Sequence, residues 1–317
     1  MTRRPDIPSI GIDLGGTKIY GVRVKGADQQ VVAESKGKTP VQGGPLGVVD
    51  AIAKVVAELG LAPGDRIGVG APGVIDVDKG VVRAAPNLPG WMDPFPLGPA
   101  LAETLGVDTV VVDNDVNVGT VAEHRLGAGK GAEEMLGVFV GTGVGGGLIL
   151  DGKLRRGASG LAGEIGHVVV TPNGRSCACG GRGHLEVYAG RAGMERRARD
   201  LEAKGNDTVL VELAKTKRMT SSVWAKALAA GDQVAINLID DAVGALGRAI
   251  GSVIMTLDLQ LVVIGGGLAD RLGAAFVGRV EQAVRSELFA GGSPVRVVPA
   301  ELGDRAGALG AALLAGQ

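Results

Sequence analysis

Apolar residues occur along this chain in short runs that glycine-rich turns separate. Residues 10–24 and residues 137–150 share one plan: an apolar run, a turn of Gly and Thr, and a second apolar run. Apolar runs on either side of a short glycine turn predict β-hairpins. Each hairpin opens a half of the chain that then mixes strands and helices. The repetition predicts a duplicated α/β domain rather than one continuous sheet.

The same patterning predicts the other main elements. Apolar residues three and four apart indicate helices, and short apolar runs between turn residues indicate buried strands. Residues 83–91 contain too much proline and glycine for regular structure. The predicted helices span residues 46–59, 190–201, 233–257, 272–288 and 307–315, and the predicted strands span residues 66–70, 107–112 and 261–264.

The composition is that of a globular protein with an aliphatic core. A chain of 317 residues is long enough for two domains with separate cores, and its 55 glycines with only 3% aromatics indicate many tight turns. The net charge of −1 argues against nucleic-acid binding, which would need a basic face on the protein. No apolar run reaches the ~20 residues that cross a bilayer, and the first residues lack the apolar block of a secretory signal. We therefore expect a cytoplasmic protein that binds neither nucleic acid nor membranes.

Both cysteines and two of the three histidines lie within one short segment. Zinc prefers thiolates and imidazoles in tetrahedral geometry, and four protein ligands leave no position for a reactive water. The segment therefore predicts a structural Zn²⁺ that would fix the loop carrying Glu164 and Glu186. Two other interpretations stay open: cysteines buried as small apolar residues, or a redox pair outside any thioredoxin-like context. The candidate ligands are His167, Cys177, Cys179 and His184.

Three glycine clusters follow apolar strands. Glycine lets a phosphate approach the backbone, where successive N–H groups bind an anion. One such cluster alone could be an ordinary hairpin turn. Three of them at strand ends of a duplicated fold predict a binding site for a nucleotide between the two lobes. The P-loop pattern is absent, and residues 265–270 lack the last glycine of a dinucleotide motif. The clusters are Gly15, Gly16, Thr17 and Lys18 after the carboxylate of Asp13; Gly141, Thr142 and Gly143; and Gly265, Gly266 and Gly267.

Polar residues 113–117 follow the predicted strand that ends at Val112. Ligands of α/β folds bind at the carboxyl ends of strands, so this segment predicts part of a site. Asp113 could equally be a turn cap. For Asp115 we favour the role of general base.

The order of these motifs resembles the ROK family of bacterial sugar kinases and repressors, and especially the glucokinases of that family. The resemblance spans nearly the whole chain. The matching segments are residues 13–18, 86–91, 114–117, 141–143, 163–167, 177–180, 183–186 and 265–267.

The resemblance implies an actin-like (ribonuclease H-like) α/β fold, duplicated into two lobes with ATP and sugar in the interlobe cleft. The N-terminal small lobe is expected at residues 1–118, with a C-terminal helix at 304–317 packing back on it. The large lobe is expected at residues 119–303 and would carry the zinc loop.

The resemblance also implies the chemistry, which is ATP-dependent phosphorylation of a hexose, with the 6-hydroxyl of glucose favoured. Asp115 would be the base, Asp13 would lie near Mg²⁺, and the glycine clusters would hold ATP. The family usually has a third cysteine where His184 stands, and because histidine can ligate zinc we expect the metal to be retained. The implied sugar contacts are Asn87, Asn114, Asp115, Glu164, His167 and Glu186.

Several alternatives stay open at this level. An N-acetylhexosamine or mannose kinase of the same family would share the loop, and polyphosphate or another nucleotide could replace ATP. A sugar-responsive repressor is the alternative from another class, but such repressors carry a DNA-binding segment before the first hairpin, and only nine residues precede Ile10. An inactive sugar sensor is disfavoured because Asp115 and the glycine turns are intact. We expect a homo-oligomer, either a dimer or a tetramer.

Overall fold

The computed structural model describes residues 8–26, 28–85, 88, 90–91, 93–215, 217–289 and 293–316. The strands are β1 (Ser9–Leu14), β2 (Lys18–Lys25), β3 (Gln30–Lys38), β4 (Arg66–Ala71), β5 (Val74–Asp76), β6 (Val81–Ala84), β7 (Val110–Asn114), β8 (Met135–Val140), β9 (Val144–Leu150), β10 (Lys153–Arg155), β11 (Leu261–Gly265) and β12 (Arg296–Pro299). The helices are α1 (Gly44–Glu58), α2 (Leu97–Leu105), α3 (Asp115–Leu126), α4 (Glu186–Ala189), α5 (Arg191–Glu202), α6 (Val209–Ala214), α7 (Ser221–Ala229), α8 (Gln233–Leu257), α9 (Gly267–Glu287) and α10 (Ala306–Ala315). Single 3₁₀ turns lie at Ile165–His167 and Gly303–Arg305.

Contacts divide the chain into two units. Unit 1 contains the residues up to Leu126, Arg156–Ala162 and the residues from Asp304 on. Unit 2 contains Gly127–Arg155 and Gly163–Gly303. The sequence-based boundary at residue 118 falls inside α3, which packs on α10, and the whole of α3 therefore lies in unit 1.

Unit 1 is built on a five-stranded sheet of order β3-β2-β1-β4-β7. The first three strands form an antiparallel meander, and β1, β4 and β7 run parallel. Side chains alternate between the two faces of a strand. In β1, Ile10, Ile12 and Leu14 are fully buried in the core that includes residues of α1, whereas Gly11 and Asp13 face α10.

Helix α10 packs unusually close to the sheet of unit 1. It consists of alanine, leucine and glycine, and all of its residues except Gly307 are buried. A Cβ placed on Gly11 would lie 1.9 Å from the carbonyl oxygen of Ala308, so only glycine permits this approach. Small residues on both elements therefore bring the start of α10 next to Asp13 at the end of β1.

Unit 2 repeats the plan of unit 1. Its sheet has the order β10-β9-β8-β11-β12, again with an antiparallel meander followed by parallel strands. Helix α8 packs against α9 and α4, and its N-terminus is capped by Asp232, whose carboxylate accepts a hydrogen bond of 2.8 Å from the N–H of Ala235.

Both predicted hairpins and the predicted duplication are present. Helix α8 has the predicted bounds. A non-helical Gly273 (φ 71°) interrupts α9, and the helix predicted at residues 272–288 corresponds to the part after it. The predictions did not include the first part of α9 or helices α2, α3, α4, α6 and α7, and β6 extends to Ala84, into residues 83–91 that were expected to be irregular. Within the described residues, the model contains no helix long and apolar enough to cross a membrane.

Candidate active site and metal centre

The first glycine cluster forms the turn between β1 and β2. The N–H of Gly15 donates to the carbonyl oxygen of Lys18 at 2.9 Å, and the hydroxyl of Thr39 donates to the carbonyl oxygen of Gly15 at 2.6 Å. The N–H of Thr39 also donates to the carbonyl oxygen of Thr17 at 3.2 Å. The turn is thus held by hydrogen bonds from Thr39, directly after β3.

Asp13 lies at the end of β1, immediately before this turn. Its pKa is raised from 3.8 to about 7: burial is the largest cause, the negative charge of Asp115 adds to it, and the ammonium of Lys18 opposes it. A buried carboxylate close to a second one is stabilised by a cation. The two carboxylates of unit 1 therefore form an environment that suits Mg²⁺, which prefers oxygen ligands.

Asn114 and Asp115 lie where β7 passes directly into α3. The side-chain oxygen of Asn114 accepts hydrogen bonds from the N–H groups of Val116 and Asn117, at 2.9 and 3.1 Å, and so caps the helix. The amide of Asn114 donates to the carbonyl oxygen of Gly73 at 3.0 Å. The turn that carries Asp115 is therefore held by backbone groups of two elements.

Asp113 is a buried anchor for the same turn. Its side chain is only 1% exposed, and its Oδ1 accepts hydrogen bonds from the N–H of Asn114 at 2.7 Å and from the amide of Asn117 at 3.1 Å. Its Oδ2 accepts from Arg156, at 2.8 Å from Nε and 2.7 Å from Nη2. Asp113 thus caps the turn, a role that its sequence position left open, whereas its contact with Arg156 has no sequence signal because the two residues are 43 positions apart.

In unit 2, the Gly141-Thr142-Gly143 turn joins β8 and β9. The N–H of Gly141 donates to the carbonyl oxygen of Gly143 at 2.9 Å. Glu186, the first residue of α4, accepts a hydrogen bond of 3.1 Å from the N–H of Val144. The structure thus places one predicted sugar contact directly on the predicted phosphate turn.

The third glycine cluster joins β11 to α9. Gly266 has a φ of 89°, and a Cβ on this residue would lie 2.6 Å from the backbone nitrogen of Val140. Only glycine fits, which brings the N-terminus of α9 close to the end of β8. Free N–H groups and the helix dipole make such an N-terminus suited to a phosphate.

The four predicted metal ligands come together. Their ligand atoms, one from each of His167, Cys177, Cys179 and His184, all lie within 4.8 Å of one another. The Nδ1 of His184 is 3.2 Å from the Sγ of Cys179 and 3.4 Å from the Nδ1 of His167. Ligand atoms of a tetrahedral Zn²⁺ with ordinary bond lengths lie about 3.3–3.8 Å apart. The donor set therefore suits zinc, and the two distances to His184 Nδ1 are close to this spacing.

The loop around the cysteines is closed by its own backbone. The N–H of Cys177 donates to the carbonyl oxygen of Gly181 at 2.8 Å, and the N–H of Gly180 donates to that of Cys177 at 3.1 Å. Burial, the largest cause, raises the pKa of the Cys177 thiol. Because a metal binds the thiolate, occupation of the site would release this proton.

The remaining sugar candidates are less constrained. Glu164 immediately precedes the 3₁₀ turn Ile165–His167, and its carbonyl oxygen accepts from the N–H of His167 at 3.0 Å. The same short turn therefore orients Glu164 and one metal ligand. Asn87 lies outside the described residues.

Comparison with known proteins identifies the family. The model of the ROK family matches residues 9–317, and the chain belongs to this family. It is 34% identical to a glucokinase of Thermotoga maritima over 315 residues, covering 97% of each chain. It is 33% identical to an N-acetylmannosamine kinase of Escherichia coli over 307 residues, covering 97% of this chain and 98% of the relative.

A solved structure confirms the fold class. The ROK family glucokinase from Streptomyces griseus, in complex with glucose and AMPPNP, superposes with a TM-score of 0.82 at 32% identity, covering 97% of this chain and 98% of the other. The predicted actin-like, duplicated α/β fold is confirmed by this likeness and by the matching strand orders of the two sheets.

Proposed function

We propose that this chain is an ATP-dependent glucokinase that transfers the γ-phosphoryl group of ATP to the 6-hydroxyl of glucose. The observation that carries the proposal is the pair of carboxylates in unit 1. Asp13 lies at the end of β1 and Asp115 directly follows β7, two strands that run parallel in one sheet, and the charges of the two carboxylates interact. Full-length similarity to glucokinases, one of them complexed with glucose and an ATP analogue, supports the choice of reaction.

The two carboxylates have different roles in this proposal. Phosphoryl transfer passes through a loose transition state, so positioning and charge stabilisation dominate catalysis. Asp13 would hold Mg²⁺, which neutralises charge on the phosphates when bound. Asp115 would accept the proton of the sugar hydroxyl, a role typically worth ~10²- to 10⁴-fold in rate.

The sugar contacts are proposed from the resemblance and supported by local geometry. Glu186 is oriented by the N–H of Val144 and Asn114 by its helix cap, so neither has to be ordered by the substrate. His167 has two ring nitrogens: Nδ1 faces the other metal ligands, and Nε2 would be left for a sugar hydroxyl. Asn87 and Glu164 complete the proposed set.

We propose a structural Zn²⁺ at the cluster of His167, Cys177, Cys179 and His184. All four positions of a tetrahedral ion would be filled by protein, so the metal would not activate water. It would fix the loop between Glu164 and the start of α4. A homo-oligomeric assembly and a cytoplasmic location remain predictions.

The sugar specificity is tested by incubating purified protein with Mg-ATP and individual hexoses and measuring sugar phosphate and ADP. Glucose should be the preferred acceptor. N-acetylmannosamine is the second candidate, favoured by the relative at 33% identity. If N-acetylmannosamine is phosphorylated and glucose is not, the glucokinase proposal is wrong.

The base is tested with Asp115→Asn, which keeps size and hydrogen bonding but removes the proton acceptor. We expect kcat to fall by about 10²- to 10⁴-fold, while glucose affinity changes little. Asp108→Asn removes the same charge from an exposed position just before β7 and is the matched control. An Asp115→Asn variant with kcat close to that of the control would exclude the base role.

A further inference from the structure

Arg191 and Ala192 are joined to the Gly141-Thr142-Gly143 turn by three hydrogen bonds. Its N–H donates to the carbonyl oxygen of Gly141 at 3.1 Å, and the next N–H, of Ala192, donates to that of Thr142 at 2.9 Å. The guanidinium Nη2 donates to the hydroxyl of Thr142 at 3.2 Å. The first residue of α5 therefore brings a positive charge to the predicted phosphate turn.

A second arginine is placed beside the first by contacts along α5. Glu195, one helical turn after Arg191, accepts a hydrogen bond of 3.0 Å from the N–H of Met219. Arg199, one turn further, donates to the carbonyl oxygen of Lys217 at 2.9 Å. These two bonds hold residues 217–219 along the helix, with the exposed Arg218 between them.

The carboxylate next to this arginine pair, that of Glu195, makes its hydrogen bonds to other groups. Glu195 Oε1 accepts two hydrogen bonds from Arg199, at 2.9 and 3.1 Å, and its Oε2 is taken by Met219. The Nε of Arg191 is buried and has no hydrogen-bond partner in the described part of the chain. The pKa of Arg191 is lowered, first by burial and then by the charge of Arg218, and the charge of Glu195 opposes this shift in part.

We propose that Arg191 and Arg218 bind the phosphoanhydride chain of the phosphoryl donor next to the Gly141-Thr142-Gly143 turn. The proposal rests on the kinase function proposed above and adds two charged donors to the backbone amides of the glycine clusters. A guanidinium is suited to this role because its planar set of N–H groups matches phosphate oxygens. The negative charge of a phosphate would relieve the repulsion of two neighbouring cations.

The test measures binding without turnover, by calorimetric titration of the full-length protein with a non-hydrolysable ATP analogue, inorganic tripolyphosphate and adenosine. In Arg191→Ala, affinity for the analogue and for tripolyphosphate should fall about tenfold, the effect of one charge-assisted hydrogen bond. Affinity for adenosine should change less than twofold. Arg218→Ala should have the same selectivity with a smaller loss, and Arg191→Lys should recover part of the loss.

Arg196→Ala is the matched control, because it removes the same charge from an exposed position on the same helix. An analogue affinity of Arg191→Ala within twofold of this control would overturn the proposal. An equal loss for adenosine would also overturn it, since that loss would report a structural change rather than lost phosphate contacts. If the wild-type protein phosphorylates no sugar, the kinase proposal fails while these titrations still decide the arginine site.

Turnover assays with ATP and with inorganic polyphosphate then identify the source of the phosphate chain. The KM of whichever donor supports turnover should rise about tenfold in Arg191→Ala. A KM that stays within twofold of the wild-type value for every active donor would contradict the assignment.

Discussion

Replacing Arg156 by methionine tests how strongly one ion pair supports the turn that carries the proposed base. Both contacts of the Arg156 guanidinium go to the Oδ2 of Asp113, at 2.7 and 2.8 Å, and that carboxylate is 1% exposed. The backbone of Asn114 and the amide of Asn117 contact only Oδ1. Arg156→Met would therefore leave a buried carboxylate oxygen without its two donors.

The magnitude follows from the burial of the pair. Removing one partner of a fully buried ion pair costs about 3–5 kcal/mol. The side chain of Arg156 is 35% exposed, so water can partly replace it, and we expect a loss of about 2–3 kcal/mol. This loss corresponds to a decrease in Tm of about 5–10 °C. Arg305→Met is the matched control, because its guanidinium also lies in unit 1 and pairs with Glu34 at the surface, and such pairs contribute below about 0.5 kcal/mol.

The two tryptophans allow unit 1 to be followed separately. Trp91 lies in the core of unit 1 and Trp224 in that of unit 2, at 2% and 0% exposure. In a Trp224→Phe background, the fluorescence of Trp91 during urea unfolding reports the stability of unit 1. All variants are measured in this background, so its own effect cancels.

A double-mutant cycle separates the ion pair from other effects of the substitution. With Asp113→Asn as the second change, the coupling energy between Asp113 and Arg156 should be about 1.5–3 kcal/mol. A coupling below about 0.5 kcal/mol, or an Arg156→Met variant no less stable than Arg305→Met, would refute the reasoning.

Three further predictions concern Asp13, the metal centre and the third glycine cluster. The folded-state pKa of Asp13 is raised from 3.8 to about 7, so between these pH values the native protein keeps a proton that the unfolded chain loses. The contribution of protonated Asp13 to stability is therefore present below about pH 4 and is lost as the pH rises to about 7. In metal-free buffer, Asp13→Asn should therefore be more stable than wild type at pH 8, and an unchanged pH dependence in urea titrations would contradict this. Cys177→Ala should lose bound zinc by elemental analysis and weaken glucose binding while retaining ATP binding; metal-free yet fully active wild-type protein would exclude the structural role. Gly266→Ala should destabilise the folded protein by more than about 1 kcal/mol and weaken ATP binding. Gly278→Ala, further along α9 with open space around it, should be neutral or stabilising. Similar thermal shifts for the two variants would show the argument to be wrong.

The pattern of apolar and polar residues predicted the elements that bury only one face in a hydrophobic core. Helix α8 is amphipathic over its whole length, and its bounds were predicted correctly. Helix α3 was missed because it is buried on all sides from Asn117 to His124, so its sequence has no amphipathic period. The first part of α9, before the non-helical Gly273, was missed because Gly267 has low helix propensity, and Gly267 begins the helix only because Gly266 packs against the end of β8.

The candidate site could be predicted where its functional residues lie close together in the sequence. The four metal candidates fall within 18 consecutive residues, and their types alone indicate a ligand set. Arg156 and Arg191 carry no such signal, because each acquires its role from a partner more than 40 positions away. Only the fold brings these partners together.

The return of α10 to unit 1 has a consequence for the order in which the protein can fold during synthesis. Residues 127–305 are made after β1, β4, β7 and α3 and before α10, which takes about 10–40 s at 5–20 residues per second. During this interval Gly11 and its neighbours on β1 lack the helix that covers them in the finished protein. The first sheet to leave the ribosome is therefore the last to be completed, and its uncovered face is where a nascent chain would need protection from aggregation.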